Sequence, residues 1–141
     1  MAVKTTRVGV YAASIEDRPG GLAEKLEALA AAGANLEFLI ARRTPESPGA
    51  GVVFVTPLRG SRQLAAAKKA GFQKTESLHS VRVEGPDKPG LGARLTRALA
   101  DAGINLRGLS AAAMGKKFIA HLAFDSGQDA AKALRVLKTL K

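Results

Sequence analysis

Two short stretches of this 141-residue chain carry residue types suited to holding a small charged molecule. Asp17-Arg18-Pro19-Gly20 recurs, at an offset of 70 residues, as Asp87-Lys88-Pro89-Gly90. Pro19 and Pro89 fix φ, so each turn is rigid before anything binds. Gly20 and Gly90 carry no Cβ, which lets a ligand approach the backbone closely. Each turn opens a predicted helix, whose first N–H groups and partial positive charge suit a carboxylate. Asp17 or Asp87 suits an ammonium group. Asn35 and Asn105, after the two helices, each offer a donor and an acceptor. The set supplies both signs of partner that a zwitterion needs. Taken singly, every one of these residues has an ordinary structural use as a cap, a turn or a helix exit. Their recurrence in register is what points to binding.

The elements that must position these residues follow from periodicity. Alternation predicts a strand from Arg7 to Ala13. Leu22, Leu26 and Leu29 recur at helical spacing after the first turn, and Gly33 supplies a left-handed helix end. Strands are predicted from Leu36 to Arg43 and, after a loop of Pro and Gly breakers, from Gly51 to Thr56. Ser61 is expected to cap a helix running to about Ala70, stopped by Gly71. The segment from Phe72 to Gly85 is expected to hold the last strand of one unit and the first of the next. Leu91, Leu95 and Leu99 mark the next helix, ended by Gly103. Strands from Asn105 to Ala113 and from Lys117 to Phe124 flank a tight turn at Met114-Gly115-Lys116. Ser126 and Asp129 fit a capping box. The final helix is expected to turn Leu134, Leu137 and Leu140 inward and Lys132, Arg135 and Lys138 outward.

The 70-residue offset also carries Ala28-Leu29-Ala30 onto Ala98-Leu99-Ala100, and Ala32-Gly33-Ala34-Asn35-Leu36 onto Ala102-Gly103-Ile104-Asn105-Leu106. Two copies make a duplicated domain and not a solenoid. Copy one, residues 1–77, reads βαββαβ. Copy two, residues 78–141, reads βαββα and is expected to lack a closing strand, which must come from elsewhere or be absent. The expected class is α+β: two ferredoxin-like modules, each a mainly antiparallel sheet with helices on one face.

Composition narrows the function classes. The chain has no cysteine, which excludes disulfides and thiolate metal sites. Two histidines, His79 and His121, form no cluster with metal-ligand spacing, and His121 reads as a packed or half-exposed strand residue. No nucleophile–base set, phosphate loop or dinucleotide fingerprint is complete. No catalytic residue, metal or cofactor is therefore expected. Neither a signal peptide nor a membrane-length apolar run is visible, so a soluble cytoplasmic protein is expected. The formal net charge of +10 raises nucleic acid as a partner, but aromatics are 4% and the Lys and Arg residues are spread along the chain.

The repeated motif, Asp17-Arg18-Pro19-Gly20-Gly21-Leu22 to Gly33-Ala34-Asn35-Leu36, and Asp87-Lys88-Pro89-Gly90-Leu91 to Gly103-Ile104-Asn105-Leu106, resembles the signature of ACT domains. The chain as a whole is similar to stand-alone tandem ACT proteins. The resemblance implies a non-enzymatic regulatory protein that binds a small ligand, most often an amino acid, near an interface of ACT modules. It implies a ligand-binding set of Asp17, Arg18, Pro19, Gly20, Gly21, Leu22 and Asn35 in copy one, and Asp87, Lys88, Pro89, Gly90, Leu91 and Asn105 in copy two. It also implies a homodimer and a regulated partner enzyme. A basic nucleic-acid-binding protein and a structural module docking on a partner enzyme are the alternatives.

Overall fold

The alternation at the start of the chain is two strands, with Gly9 and Val10 between them. The computed structural model describes residues 3–75 and 79–140. In it β1 runs Lys4–Val8 and β2 runs Tyr11–Glu16. They belong to different sheets. β1 pairs antiparallel with β6 (His79–Pro86), from Lys4↔Glu84 to Val8↔Ser80. β2 pairs antiparallel with β4 (Ala50–Thr56), from Tyr11↔Val55 to Glu16↔Ala50. The predicted strand from Arg7 to Ala13 thus straddles a crossing between two compact units.

One unit is Gly9–Thr75. It contains β2, α1 (Gly21–Ala31), β3 (Phe38–Arg43), β4, α2 (Gly60–Lys69) and β5 (Gln73–Lys74), with sheet order β3-β4-β2-β5. This is the expected βαββαβ module. Its closing strand is short, and Thr75 fastens it by donating its N–H to the Val10 carbonyl at 3.0 Å. The core gathers Leu29, Val53, Val55, Leu58 and Phe72.

The other unit holds β6, α3 (Leu91–Asp101), β7 (Gly108–Met114), β8 (Lys117–Phe124) and α4 (Gly127–Lys138), together with β1. Its sheet order is β1-β6-β8-β7. With β1 standing where β5 stands in the first unit, the two orders are the same. The second module therefore does have a fourth strand, taken from the start of the chain, and the expected division into residues 1–77 and 78–141 is corrected. The reason is an unpaired edge. Without β1, one side of β6 would present its ladder groups to water. α4 packs across both β1 and β6, and Val3 packs on the core of Val81, Val83, Leu91, Leu95, Leu99, Leu122, Phe124 and Leu137.

Local chemistry explains the helix ends. After α1, Ala34 donates to the Leu29 carbonyl and Gly33 to Ala30; after α3, Ile104 donates to Leu99 and Gly103 to Ala100. This pair of bonds is the Schellman motif, which needs a left-handed residue, and Gly33 and Gly103 have φ of 84° and 76°. Ser126 caps α4, its Oγ accepting the Asp129 N–H at 3.0 Å. Ser61 does not cap α2: the N-cap is Arg59, and Gln63 Oε1 reaches back to accept the Arg59 N–H at 2.8 Å. On α4, Leu137 is fully buried with Ala130 and Ala133, Leu134 and Leu140 are half-buried, and Lys132, Arg135 and Lys138 are exposed. His121 is half-buried in β8. Among the described residues no helix is long and apolar enough to cross a membrane.

Removal of β1 should loosen one module selectively. In a chain lacking residues 1–8, amide hydrogen exchange should accelerate in β6 and β8 and stay slow in β4. Equal acceleration in both sheets would contradict the assignment of β1.

Candidate ligand-binding site

The Asp-x-Pro-Gly turns link the end of β2 to α1 and the end of β6 to α3. The N-caps are Gly20 and Gly90, at φ 87° and 85°. A residue with a Cβ is disfavoured there by roughly 1–2 kcal/mol. No side chain caps either helix, so Asp17 and Asp87 do not serve as caps. Gly21 donates its N–H to Arg18 O at 3.1 Å, and Leu91 does the same to Lys88 O at 3.2 Å. The first intrahelical bonds run from Glu24 to Gly20 and from Arg94 to Gly90. The N–H groups of Leu22 and Ala23, and of Gly92 and Ala93, therefore have no intrahelical acceptor.

The two turns differ in what surrounds them. At the first, Arg18 Nε bonds Glu16 Oε2 at 2.5 Å and its Nη2 bonds Glu24 Oε2 at 2.8 Å. Arg43 Nε bonds Asp17 Oδ2 at 2.9 Å. Arg43 reaches Asp17 because strand register puts Arg43, Gly51 and Ile15 in one row. The hydrogen bond from Arg18, and then its charge, hold the Glu16 carboxyl below the ordinary glutamate range. The hydrogen bonds to Glu16 and Glu24 raise Arg18 in turn. At the second turn the offset replaces Glu16, Glu24 and Arg43 by Pro86, Arg94 and Ala113. Among the described residues no ion pair closes on Asp87 or Lys88.

The helix starts differ as well. Gly21 takes the place of Leu91. A Cβ on Gly21 would stand 2.2 Å from the Glu16 carbonyl oxygen, so backbone stands where a side chain would need to go. Leu91 instead sinks into its module's core at 1% exposure. It anchors the helix, and its side chain is out of a ligand's reach.

A cavity of about 490 Å³ opens at the foot of the second turn, lined by Lys4, Glu84, Gly85, Pro86, Lys116 and Lys117. The Asp87 N–H donates to Lys116 O at 2.8 Å, which ties the β7–β8 hairpin tip to the turn. None of these lining residues was singled out from the sequence as a site residue. Lys116-Lys117 was visible only as one cluster among several; its placement follows from the antiparallel β6–β8 pairing, which sets Lys117 opposite Pro86.

The asparagines are not at the turns of their own modules. Asn35 and Asn105 are exposed and lie beyond the C-terminal ends of α1 and α3, before β3 and β7 begin. Each helix has 11 residues, about 16 Å of length at 1.5 Å per residue. The clamp of turn plus asparagine is therefore not assembled within a module. Among the described residues no group of three His, Cys, Asp or Glu side chains is placed to hold a metal.

Two ferredoxin-like modules, each opening its first helix on a left-handed glycine after Asp-x-Pro, define a tandem of small α+β domains. The model of the ACT domain matches residues 13–70 and 79–141, and the chain belongs to the ACT domain family. β1 lies outside both matched segments, although it completes the second module. No curated protein matches the chain significantly. A crystal structure of a Bacteroides thetaiotaomicron protein is similar at 18% identity and TM-score 0.77, over 93% of this chain and 88% of that one. The regulatory subunit of aspartate kinase from Thermus thermophilus, in its ligand-free form, is similar at 19% identity and TM-score 0.66, over 99% and 97%. Aspartate kinase from Clostridium acetobutylicum is similar at 16% identity and TM-score 0.62, over 98% of this chain and 33% of that one.

The glycines give opposite signs. Gly21→Ala should destabilise the first module by about 1–3 kcal/mol through overpacking. Gly92→Ala, with nothing near its Cβ and no positive φ, should stabilise by about 0.4–1 kcal/mol. Thermal denaturation of both variants reads the two signs.

The ion-pair network has its own signature. Glu16 is depressed in the folded state, so its contribution is present above the ordinary glutamate value and is lost as pH falls through the depressed one. By NMR titration Glu16 should titrate below an ordinary glutamate. In Arg18→Gln it should move up toward the ordinary range, since Arg18 supplies the two largest lowering causes.

Proposed function

We propose that this chain is a non-enzymatic regulatory protein that binds an amino acid at an Asp-x-Pro-Gly turn. The observation that carries this reading is the match of both modules to the ACT domain, with the same rigid, glycine-opened helix start built twice. Such a start offers open N–H donors to a carboxylate, and an adjacent Asp offers a partner to an ammonium. Two of the similar structures are an aspartate kinase regulatory subunit and an aspartate kinase. Their likeness supports a role in which ligand binding is passed to a partner enzyme.

Self-association, as a homodimer, belongs to this reading. β3 and β7 are sheet edges, and Leu39, Ile40, Leu109 and Met114 on them are exposed. Open edges with apolar side chains favour pairing with another strand. An asparagine from a neighbouring module would then complete the contacts that a single module leaves unmade. The protein is proposed to work in the cytoplasm.

A thermal-shift screen against the twenty amino acids tests the reading. A ligand at about 100 times its Kd should stabilise the folded chain by about 2.7 kcal/mol, a shift of several degrees for a chain this small. No shift with any amino acid at millimolar concentration would overturn it.

A further inference from the structure

We infer that the two turns have diverged in charge: the second is the working ligand site and selects an acidic amino acid or related dicarboxylate, while the first is closed by its own ion pairs. This rests on the reading of the chain as an amino-acid-binding protein and names the ligand class and the module.

The first turn is already occupied by its own side chains. Arg18 is held by Glu16 and Glu24, and Asp17 is held by Arg43. Both signs of charge that a zwitterion would engage are taken.

The second turn is open and its surroundings are cationic. Three lysines line the cavity at its foot, Lys4, Lys116 and Lys117. The one carboxylate there is Glu84, and it is engaged from two sides: Arg82 Nη2 stands 3.3 Å from its Oε2, and Lys117 Nζ stands 3.9 Å from its Oε1. Among the described residues neither Lys4 nor Lys116 forms an ion pair. The Asp87 backbone N–H bonds the Lys116 carbonyl, which sets the residue beside this cluster, and among the described residues no ion pair engages its carboxylate. A ligand with one ammonium and two carboxylates matches the arrangement: Asp87 for the amine, the lysines for the second carboxylate. A cationic amino acid would place its side chain against the lysines, and a neutral one would leave them without an anion.

The cavity, about 490 Å³ in volume, is a broad depression open to solvent. The cavity is lined by Gly85 and Pro86 and not by residues 87–90.

Isothermal titration of the full chain with L-aspartate, L-glutamate, L-asparagine, L-glutamine and L-lysine tests the inference. Amide chemical shifts recorded at saturation locate the site. Aspartate or glutamate should bind at least tenfold more tightly than its amide, and the largest shifts should fall at Gly85, Asp87 and Lys116. The double variant Lys116→Gln, Lys117→Gln changes exposed residues at a hairpin tip. It should keep its melting curve and lose the preference for the acid over the amide. Lys138→Gln, a charge change on α4, should keep that preference. Equal binding of acid and amide, tighter binding of lysine, shifts centred on Asp17 to Leu22, or an unchanged preference in the double variant would each overturn the inference, while amino-acid binding itself would stand. Binding of none of the five, followed by no stabilisation in the twenty-amino-acid screen, would overturn both.

Discussion

A strand in a sheet carries N–H and C=O groups on both sides, and those on an open side must be paired, covered or left to water. In this protein that demand falls on β6. β8 takes one side of it, and β1 takes the other through five residue pairs from Lys4↔Glu84 to Val8↔Ser80. Each ladder bond is worth only about 0.5–1.5 kcal/mol net. The larger effect is on what β1 allows: α4 lies across β1 and β6, so Ala130, Ala133 and Leu137 have a continuous surface to bury against. The cavity depends on it too, since Lys4 on β1 forms one wall. The consequence is a nested chain. Along the chain, the whole of the first module, Gly9–Thr75, is an insertion between β1 and β6 of the second. Closing β1 onto β6 carries a loop-entropy cost set by that intervening length, which grows only slowly with it.

Position 21 and its counterpart 91 show how duplicated modules drift apart under one fold. Leu91 fills the core below α3, beside Leu95 and Leu99. The first module has Gly21 there, and its space is taken by the Glu16 carbonyl. Its core is correspondingly lighter, built from Leu29, two valines, Leu58 and Phe72 with alanines between. The same helix start is held in one module by an apolar anchor and in the other by backbone contact and ion pairs. Exposed pairs of that kind add little to stability. Their effect here is to occupy Asp17 and Arg18.

What was legible in the sequence was local. The Schellman glycines at 33 and 103, the Ser126 cap and the leucine stripe of α3 each depend on residues within a turn or two, and each stands where the pattern put it. Strand pairing is not local. The alternation from Arg7 to Ala13 passes through Gly9 without a change of period, so nothing in it marks the crossing from one sheet to another. β1 is explained only by an edge that opens more than seventy residues away, at Glu84. The asparagines mislead for a related reason: they follow the helices closely in sequence, but a helix separates its two ends by its full length. Ser61 was displaced by a rival, Gln63, whose longer side chain reaches back to the N-cap that Arg59 supplies.

The charges at the turns follow the same division. Arg43 and Lys116 are each one residue in a basic pair, with nothing in their neighbours to set them apart. Register decides their roles. The β3–β4 pairing sets Arg43 in a row that ends beside Asp17, while the equivalent row of the second module runs Ala113, Phe118, Gly85 and brings no cation from β7. The hairpin tip supplies the cations there instead, through Lys116 and Lys117. One turn is therefore neutralised from a strand and the other is flanked from a hairpin. A motif that recurs in the sequence as Asp-x-Pro-Gly thus acquires two electrostatic environments from strand pairings that lie outside it.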